Sequence, residues 1–82
     1  MSITEMQEGK IYHIRDRILG QPEYIKITKR GPKSAYAIQY EYIFNGNEQT
    51  SYFGDTVWEI LAELSNEEYK KVLIKQKLKD LI

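Results

Sequence analysis

The sequence predicts a small α+β domain in which a four-stranded antiparallel meander sheet precedes two C-terminal helices. Three observations predict it: polar and apolar residues alternate in several short segments, glycines and prolines separate these segments, and helix-capping patterns follow them. The strand pattern fits either a plain sheet backed by the helices or an SH3-like, partly open barrel. Within a single domain, 1–82, the strands are expected at about residues 10–16, 23–29, 35–44 and 48–53, and the helices at about 56–64 and 66–80.

Residues 35–44 form the clearest predicted strand, because aromatic and aliphatic side chains occupy every second position. Asn45-Gly46 follows directly, and this dipeptide is typical of a two-residue hairpin turn with positive φ at both central positions. Such a turn fixes how the two flanking strands pair. The expected pairs are Phe44 with Asn47, Gln39 with Tyr52, and Ile38 with Phe53.

The other connections are assigned from glycine and proline. Residues 17–22 are expected to form a loop, and residues 30–34 a turn, because Gly31-Pro32 joins a permissive residue to one of fixed φ. Alternation then divides the strand side chains between two faces. The core face is expected to hold Tyr12, Ile14, Ile25, Ile27, Tyr36, Ile38, Tyr40, Tyr42 and Phe53. The opposite face is expected to hold His13, Arg15, Tyr24, Lys26, Thr28, Gln39, Glu41, Thr50 and Tyr52.

Two Ser/Thr-x-x-Glu patterns predict helix starts, at Thr56 and at Ser65. We assume that both helices cover the core face, with Trp58 as the anchor of the first. The second helix carries two apolar stripes, although docking on a sheet needs only one. The surplus stripe would meet a second subunit or a partner, unless a kink near Gln76 brings both stripes to the core. The stripes are Tyr69, Val72 and Leu73, and Ile74, Leu78, Leu81 and Ile82.

Composition limits the functional classes. The 82 residues include no cysteine, which excludes disulfides and thiolate metal sites, and no apolar run of membrane-spanning length. The first residues lack the pattern of a secretory signal, so a cytoplasmic location is expected. Net charge is zero, but residues 10–33 carry seven bases and two acids, whereas residues 34–69 carry seven acids and no base. This disfavours a generally basic nucleic-acid-binding protein and leaves local patches of either sign open.

No pattern in the chain supplies catalytic chemistry. His13 is the single histidine, and without cysteine or a tight carboxylate cluster it does not predict a zinc site. A catalytic histidine would also need a nucleophile and an orienting group, and no known catalytic or nucleotide-binding motif occurs. We therefore expect a protein with no enzymatic activity, no metal and no cofactor.

The leading hypothesis is a small regulatory protein that binds and modulates another protein, such as an accessory inhibitor of bacterial or phage origin. Charge blocks of both signs, seven tyrosines and the surplus helical stripe favour it. A homodimer through residues 74–82 fits the same features. The residues expected to contact the partner are Arg15, Tyr24, Lys26, Gln39, Tyr52, Ile74, Leu78 and Leu81.

The alternative hypothesis is a nucleic-acid-binding module of SH3-like type. Bases cluster around Gly31-Pro32 between Tyr24 and Tyr36, and a basic hairpin with aromatic rings is one way to hold a phosphate backbone and stacked bases. Neither a small-molecule substrate nor a membrane is indicated as a partner. The residues expected to contact nucleic acid are Arg15, Arg17, Lys26, Lys29, Arg30 and Lys33.

Overall fold

The computed structural model describes residues 2–80, with side chains up to residue 75. A single 3-10 turn, Ile3–Glu5, precedes five strands and one helix. The strands are β1 (Ile11–Asp16), β2 (Pro22–Lys33), β3 (Ile38–Phe44), β4 (Asn47–Phe53) and β5 (Trp58–Leu64), and the helix is α1 (Asn66–Asp80). Neighbouring strands pair antiparallel in one sheet of order β4-β3-β2-β1-β5. Within residues 2–80, no helix has the length and apolar character needed to cross a membrane.

The prediction of four strands and two helices is wrong, because residues 58–64 form β5 instead of a helix. A turn precedes this strand, in which the Trp58 N–H donates to the Gly54 carbonyl at 3.0 Å. Ile60 then pairs with Ile14 across β1. This pairing satisfies the backbone of β5 and packs Trp58 and Ile60 against the core. These long-range contacts outweigh the local helix preference indicated by the capping pattern.

Two predictions that depend on adjacent residues are confirmed. In the β3–β4 hairpin, Asn45 and Gly46 have φ of 52° and 79°, and the three predicted pairs are present. At the start of α1, the Ser65 N–H donates to the Glu68 carboxylate at 3.1 Å, and the Glu68 N–H donates to the Ser65 hydroxyl at 3.2 Å. Local chemistry therefore determines both features.

The predicted turn at residues 30–34 is also wrong, since β2 continues through Gly31 to Lys33. Its register with β3 is interrupted twice, so Gly31 lies in an irregular stretch where proline is tolerated next to it. A Cβ on Gly31 would lie 3.2 Å from the Gln39 carbonyl oxygen, which explains the glycine. The chain reverses instead at Ser34, whose N–H donates to the Ala37 carbonyl at 2.8 Å. Tyr36 is therefore not in the predicted core; it lies in this loop and is 87% exposed.

The core lies on one face of the sheet, and the N-terminal segment closes it. The Tyr40 hydroxyl donates to the Ile3 carbonyl at 2.9 Å, and the Tyr12 hydroxyl accepts from the Gln7 N–H at 3.0 Å. The assumption that the helices cover this face is wrong for the described residues, because the N-terminal segment packs there and α1 contacts β5. The core residues are Ile3, Met6, Tyr12, Ile14, Ile25, Ile27, Ile38, Tyr40, Tyr42 and Phe53.

Candidate functional site

The face of the sheet opposite the core, called the outer face below, collects most residues that the sequence nominated for binding. Because side chains alternate between the two faces of a strand, Arg15 of β1 and Lys26 of β2 lie on the outer face. Thr28 falls at a register shift, and its hydroxyl donates to the Glu41 carbonyl at 2.9 Å. The cross-strand pairs on this face are His13 with Tyr24, Gln39 with Tyr52, and Glu41 with Thr50.

Two of the nominated arginines share one carboxylate. Arg15 Nε donates to Glu59 Oε1 at 2.7 Å, and its Nη2 contacts the same oxygen. Arg17 Nη2 lies 3.9 Å from Glu59 Oε2. The sequence analysis placed Glu59 in a helix, so this partner became visible only once β5 was found beside β1. Both arginines are therefore partly neutralised, which reduces their attraction for a phosphate backbone.

The basic residues of β2 do not form one hairpin tip. Lys26 and Lys29 pair with Ile43 and Glu41, which belong to the outer face, whereas Arg30 and Lys33 pair with the core residues Tyr40 and Ile38. The two pairs of bases thus belong to opposite sides of the sheet. The expected turn at residues 30–34 is replaced by strand, so the four bases lie along β2 on two sides of the sheet and not at one hairpin tip. Whether they contact nucleic acid stays a prediction.

Arg30 has a structural role in addition. Its side-chain Nη2 donates to the Thr4 carbonyl at 3.0 Å, and its backbone N–H donates to Glu8 Oε1 at 3.1 Å. Both contacts fasten the N-terminal segment that closes the core. Removing Arg30 would therefore perturb the fold as well as any binding surface, so it is a poor probe of function.

His13 stacks on Tyr24 with ring centroids 4.2 Å apart and planes 5° from parallel. Its Nε2 is buried and has no hydrogen-bond partner among the described residues. Burial lowers the pKa of His13, because a charged ring would lose its hydration. The residues paired with it across the neighbouring strands are Tyr24 and Ala62, so no carboxylate or nucleophile lies directly opposite the ring.

The nominated stripe on α1 is only partly described. Tyr69, Val72 and Leu73 are half-buried, whereas Ile74 is 58% exposed. Ile74 therefore belongs to a different side of the helix from the half-buried group, as predicted. The side chains of Leu78 and Leu81 lie outside the described residues. Whether this stripe, or any nominated residue, contacts a partner stays a prediction.

Among the residues described with side chains, 2–75, the most exposed large aliphatic side chains occur in the loop between β1 and β2. Ile18 and Leu19 are 77% and 72% exposed, although neither was nominated from the sequence. The Asp16 carboxylate accepts from the Ile18 N–H at 2.7 Å and from the Leu19 N–H at 3.1 Å. The Gly20 N–H also donates to the Asp16 carbonyl at 2.7 Å. The loop therefore holds two adjacent aliphatic side chains in water on a fixed backbone.

This loop belongs to a larger structure, called the rim below and formed by residues 17–21, 34–37 and 54–57. The Arg17 N–H donates to the Val57 carbonyl at 2.6 Å, which joins the first loop to the turn before β5. At the other end of that turn, a Cβ on Gly54 would lie 2.6 Å from the Tyr36 carbonyl oxygen. The rim thus carries the exposed ring of Tyr36 as well as the two aliphatic side chains.

Asp55 connects the rim to the N-terminal segment. Its carboxylate accepts from the Ser2 hydroxyl at 2.5 Å and from the Ile3 N–H at 2.9 Å. The hydrogen bond from Ser2, and then that from Ile3, lower the pKa of Asp55. One apolar signal pointed to the rim in the sequence: an Ile-Leu pair stands where a loop is expected, outside any alternating segment.

The chain was compared with protein-family models, with curated proteins and with solved structures, and nothing matched in any of the three comparisons. The geometry of the outer face and of the rim therefore carries the functional inference.

Proposed function

We propose that this chain is a non-enzymatic interaction protein that binds and modulates another protein, and that the rim is its main contact. The observation that carries the proposal is the exposure of Ile18 and Leu19 on an ordered loop. Large aliphatic side chains in water forfeit the stabilisation that burial would give, about 1.5–3 kcal/mol each. A partner that buries both side chains would recover that free energy.

The order of the loop favours binding further. Ordering a flexible loop at an interface costs about 0.5–1.5 kcal/mol for each immobilised side chain. The Asp16 carboxylate and the Arg17–Val57 hydrogen bond have already fixed the backbone before any partner arrives. Tyr36 adds an aromatic ring, a residue type that is enriched among the strongest contacts of protein interfaces. A preorganised apolar anchor, with an exposed ring on another segment of the rim, fits an apolar cleft on the partner.

The contacts of the bases favour this proposal over nucleic-acid binding. Arg15 and Arg17 share Glu59, and Arg30 holds the N-terminal segment. Lys26 and Lys33 belong to opposite sides of the sheet. Nucleic-acid binding is retained as the alternative outcome of the experiment. It would give complexes that dissociate steeply as salt rises.

The test is site-specific photo-crosslinking in the native host, followed by reconstitution. A photoreactive leucine analogue replaces Leu19 in one sample and Leu61 in a matched control, since both positions expose a leucine side chain. We expect a discrete protein adduct from position 19 and none from position 61. The captured protein is then purified, and its affinity is measured for the wild type, the Ile18→Ser/Leu19→Ser variant and the Leu61→Ser variant.

The double serine variant should weaken binding at least about tenfold, because it removes the apolar anchor. The Leu61→Ser variant should bind like the wild type, and the wild type should change a measurable activity of the captured protein. Unchanged affinity of the double variant would contradict the role of the rim. Adducts with DNA or RNA in place of protein would support the alternative hypothesis.

A further inference from the structure

The two edges of the sheet are protected very differently. At the β5 edge, the register with β1 shifts between His13 and Ile14, and α1 makes contact. Glu59 pairs with Arg15 of β1, and Glu63 pairs with Lys10, which precedes β1. Bulges and covering elements of this kind are how proteins prevent another strand from adding to an edge. The β5 edge is therefore guarded.

In the part of the chain that the structure describes, the β4 edge has none of these protections. Its register with β3 continues without a shift from Phe44–Asn47 to Ile38–Phe53, and β4 contains no proline and no lysine. Among the described residues, β4 is hydrogen-bonded to β3 alone. A regular, unguarded edge strand presents backbone donors and acceptors to any extended chain that fits beside it. The β4 edge is therefore a geometric template for one more strand.

The side chains of β4 indicate which kind of strand fits. Glu48, Thr50 and Tyr52 occupy alternate positions on the outer face, and Glu41 lies beside them opposite Thr50. Within residues 2–75, the ion pairs involve only Glu59 and Glu63 among the acids, so Glu41 and Glu48 form no ion pair there. Lys29 is the cross-strand neighbour of Glu41, whereas the cross-strand neighbour of Glu48 is the apolar Ile43. The ring of Tyr52 is 58% exposed. Carboxylates and an open aromatic ring both attract basic side chains.

We propose that the β4 edge binds an extended, basic segment of another protein as a sixth strand, with basic side chains opposite Glu48 and Tyr52. Those two positions are four residues apart, so the incoming segment needs lysine or arginine at a first position and again four residues later. An open groove of about 360 Å³ gives a long basic side chain room beside the strand, and its charged lining residues are Glu41, Glu48 and one base, Lys29.

A second copy of the chain is a poorer occupant. Any pairing of two β4 strands would bring both copies of Glu48 into one interface, and β4 supplies no base to neutralise them. A basic segment instead brings positive charge to both carboxylates and to the face of the Tyr52 ring. The β4 edge and the rim use different residues, so this inference does not depend on the proposed function of the rim.

The probes are capped seven-residue peptides of valine and threonine. The basic peptide carries lysine at its second and sixth positions, and the acidic peptide carries glutamate there. In a register control, lysines at the second and fifth positions point to opposite faces of an added strand. Binding to the full chain is measured by fluorescence anisotropy, and nitrogen-15 NMR records which amides shift and exchange more slowly.

The basic peptide should bind about tenfold tighter than the acidic peptide, which corresponds to about 1.4 kcal/mol, and tighter than the register control. Amides of β4 should be protected, and those of β5 should not. Glu48→Gln should weaken binding about two- to fivefold, as expected for a partly exposed ion pair. The exposed helical variant Glu67→Gln is the matched control and should leave the affinity unchanged.

Strand addition is tested separately with N-methylated peptides. Methyl groups on one alternate set of peptide amides face β4 and should abolish binding, whereas those on the other set face solvent and should be tolerated. Equal binding of the basic and acidic peptides, or tolerance of both methylation patterns, would overturn the proposal. So would a lack of binding by every peptide, or a dimer in light scattering whose interface protects the β4 amides.

Discussion

Two turns of this molecule perform the same geometric task with opposite surface chemistry. The β3–β4 turn and the β1–β2 loop each reverse the chain between antiparallel neighbours, and each contains a glycine of positive φ, Gly46 at 79° and Gly20 at 72°. The first exposes the polar Asn45, whereas the second exposes Ile18 and Leu19. Polar residues reverse a chain equally well, so turn formation alone does not account for this aliphatic pair. This difference is the basis of the proposed contact with a partner.

The two turns also differ in what holds them. Asn45-Gly46 adopts its conformation because both residue types tolerate positive φ. The β1–β2 loop depends on a side chain, since the Asp16 carboxylate accepts two of its backbone N–H groups. It also depends on the turn before β5, which is distant in sequence, through the Arg17–Val57 hydrogen bond. The conformation of the β1–β2 loop therefore depends on contacts made by residues other than Ile18 and Leu19. Variants at those other residues can loosen the loop without changing its exposed side chains.

The largest expected effect tests what the two turns share. Gly46→Ala and Gly20→Ala should each lower the free energy of unfolding by about 1–2 kcal/mol, because a Cβ is strained at positive φ. Nothing lies within 4 Å of the added Cβ at either position, so the cost comes from the backbone alone. Equilibrium urea unfolding measures it. Gly46→Asn is the matched control and should lower the free energy of unfolding by less, because asparagine tolerates positive φ. An equal loss for Gly46→Asn and Gly46→Ala would contradict the backbone explanation.

The second largest expected effect distinguishes the β1–β2 loop from the β3–β4 turn. Asp16→Ala removes two hydrogen bonds that only the β1–β2 loop has, and it should lower the free energy of unfolding by about 1 kcal/mol. The amides of Ile18 and Leu19 should exchange faster with solvent, while those of the β3–β4 hairpin stay unchanged. Asp16→Asn keeps a side-chain acceptor and should preserve much of the protection. Equal exchange rates in the alanine variant would show that the loop is ordered by other contacts.

The same contrast explains how far the sequence alone could predict the fold. The β3–β4 register and the capping box at Ser65 were predictable, because each depends on residues a few positions apart. Strand β5 was not, because its helix-capping signal at Thr56 is local while its pairing with β1 is not. The burial of Trp58 and Ile60 against a core assembled from distant strands decides the outcome, and no short window of sequence contains that information.

In the candidate site too, features that depend on nearby residues were predictable and features that depend on tertiary contacts were not. Alternation correctly grouped Gln39, Tyr52 and Tyr24 on the outer face, because that grouping depends only on strand period and hairpin register. It could not reveal that Arg15 meets Glu59, since this requires knowing that β5 lies beside β1. Tyr36 was misplaced because the start of β3 depends on how far β2 extends. Exposed residues of the rim are determined by tertiary contacts between loops, which alternation does not describe.

A smaller effect tests whether the fold requires the aliphatic pair. Ile18→Ser should change the free energy of unfolding by no more than about 0.5 kcal/mol, as is usual for an exposed position away from specific contacts. Ile38→Ala, in the buried core, is the comparison and should cost about 2–5 kcal/mol. Urea unfolding of both variants provides the measurement. A cost above 1 kcal/mol for Ile18→Ser would mean that the side chain supports the fold, which would weaken its assignment as a binding residue.

The smallest expected effect is a pH dependence on the β1–β2 side of the molecule. Burial, and then the Asp16 carboxylate, raise the pKa of Glu23 above its usual value. Between the ordinary pKa and this raised one, the folded chain binds more protons than the unfolded chain, so the contribution of Glu23 to stability falls as pH rises. Glu23→Gln should remove that part of the slope in urea unfolding at a series of pH values. Asp16→Ala should shift the carboxyl titration of Glu23 to lower pH by NMR.

Asp55 provides a comparison of opposite sign, because hydrogen bonds from Ser2 and Ile3 lower its pKa. Its contribution is present above the ordinary aspartate pKa and is lost as pH falls through the lowered folded value, so Asp55→Asn should flatten the acid side of the stability curve. If Glu23→Gln and Asp55→Asn changed the slope in the same direction, the assignment of these carboxyls would be wrong. Opposite changes would mean that acid weakens the hydrogen bonds of Asp55 to the N-terminal segment, whereas protonation of Glu23 relieves the burial of its charge.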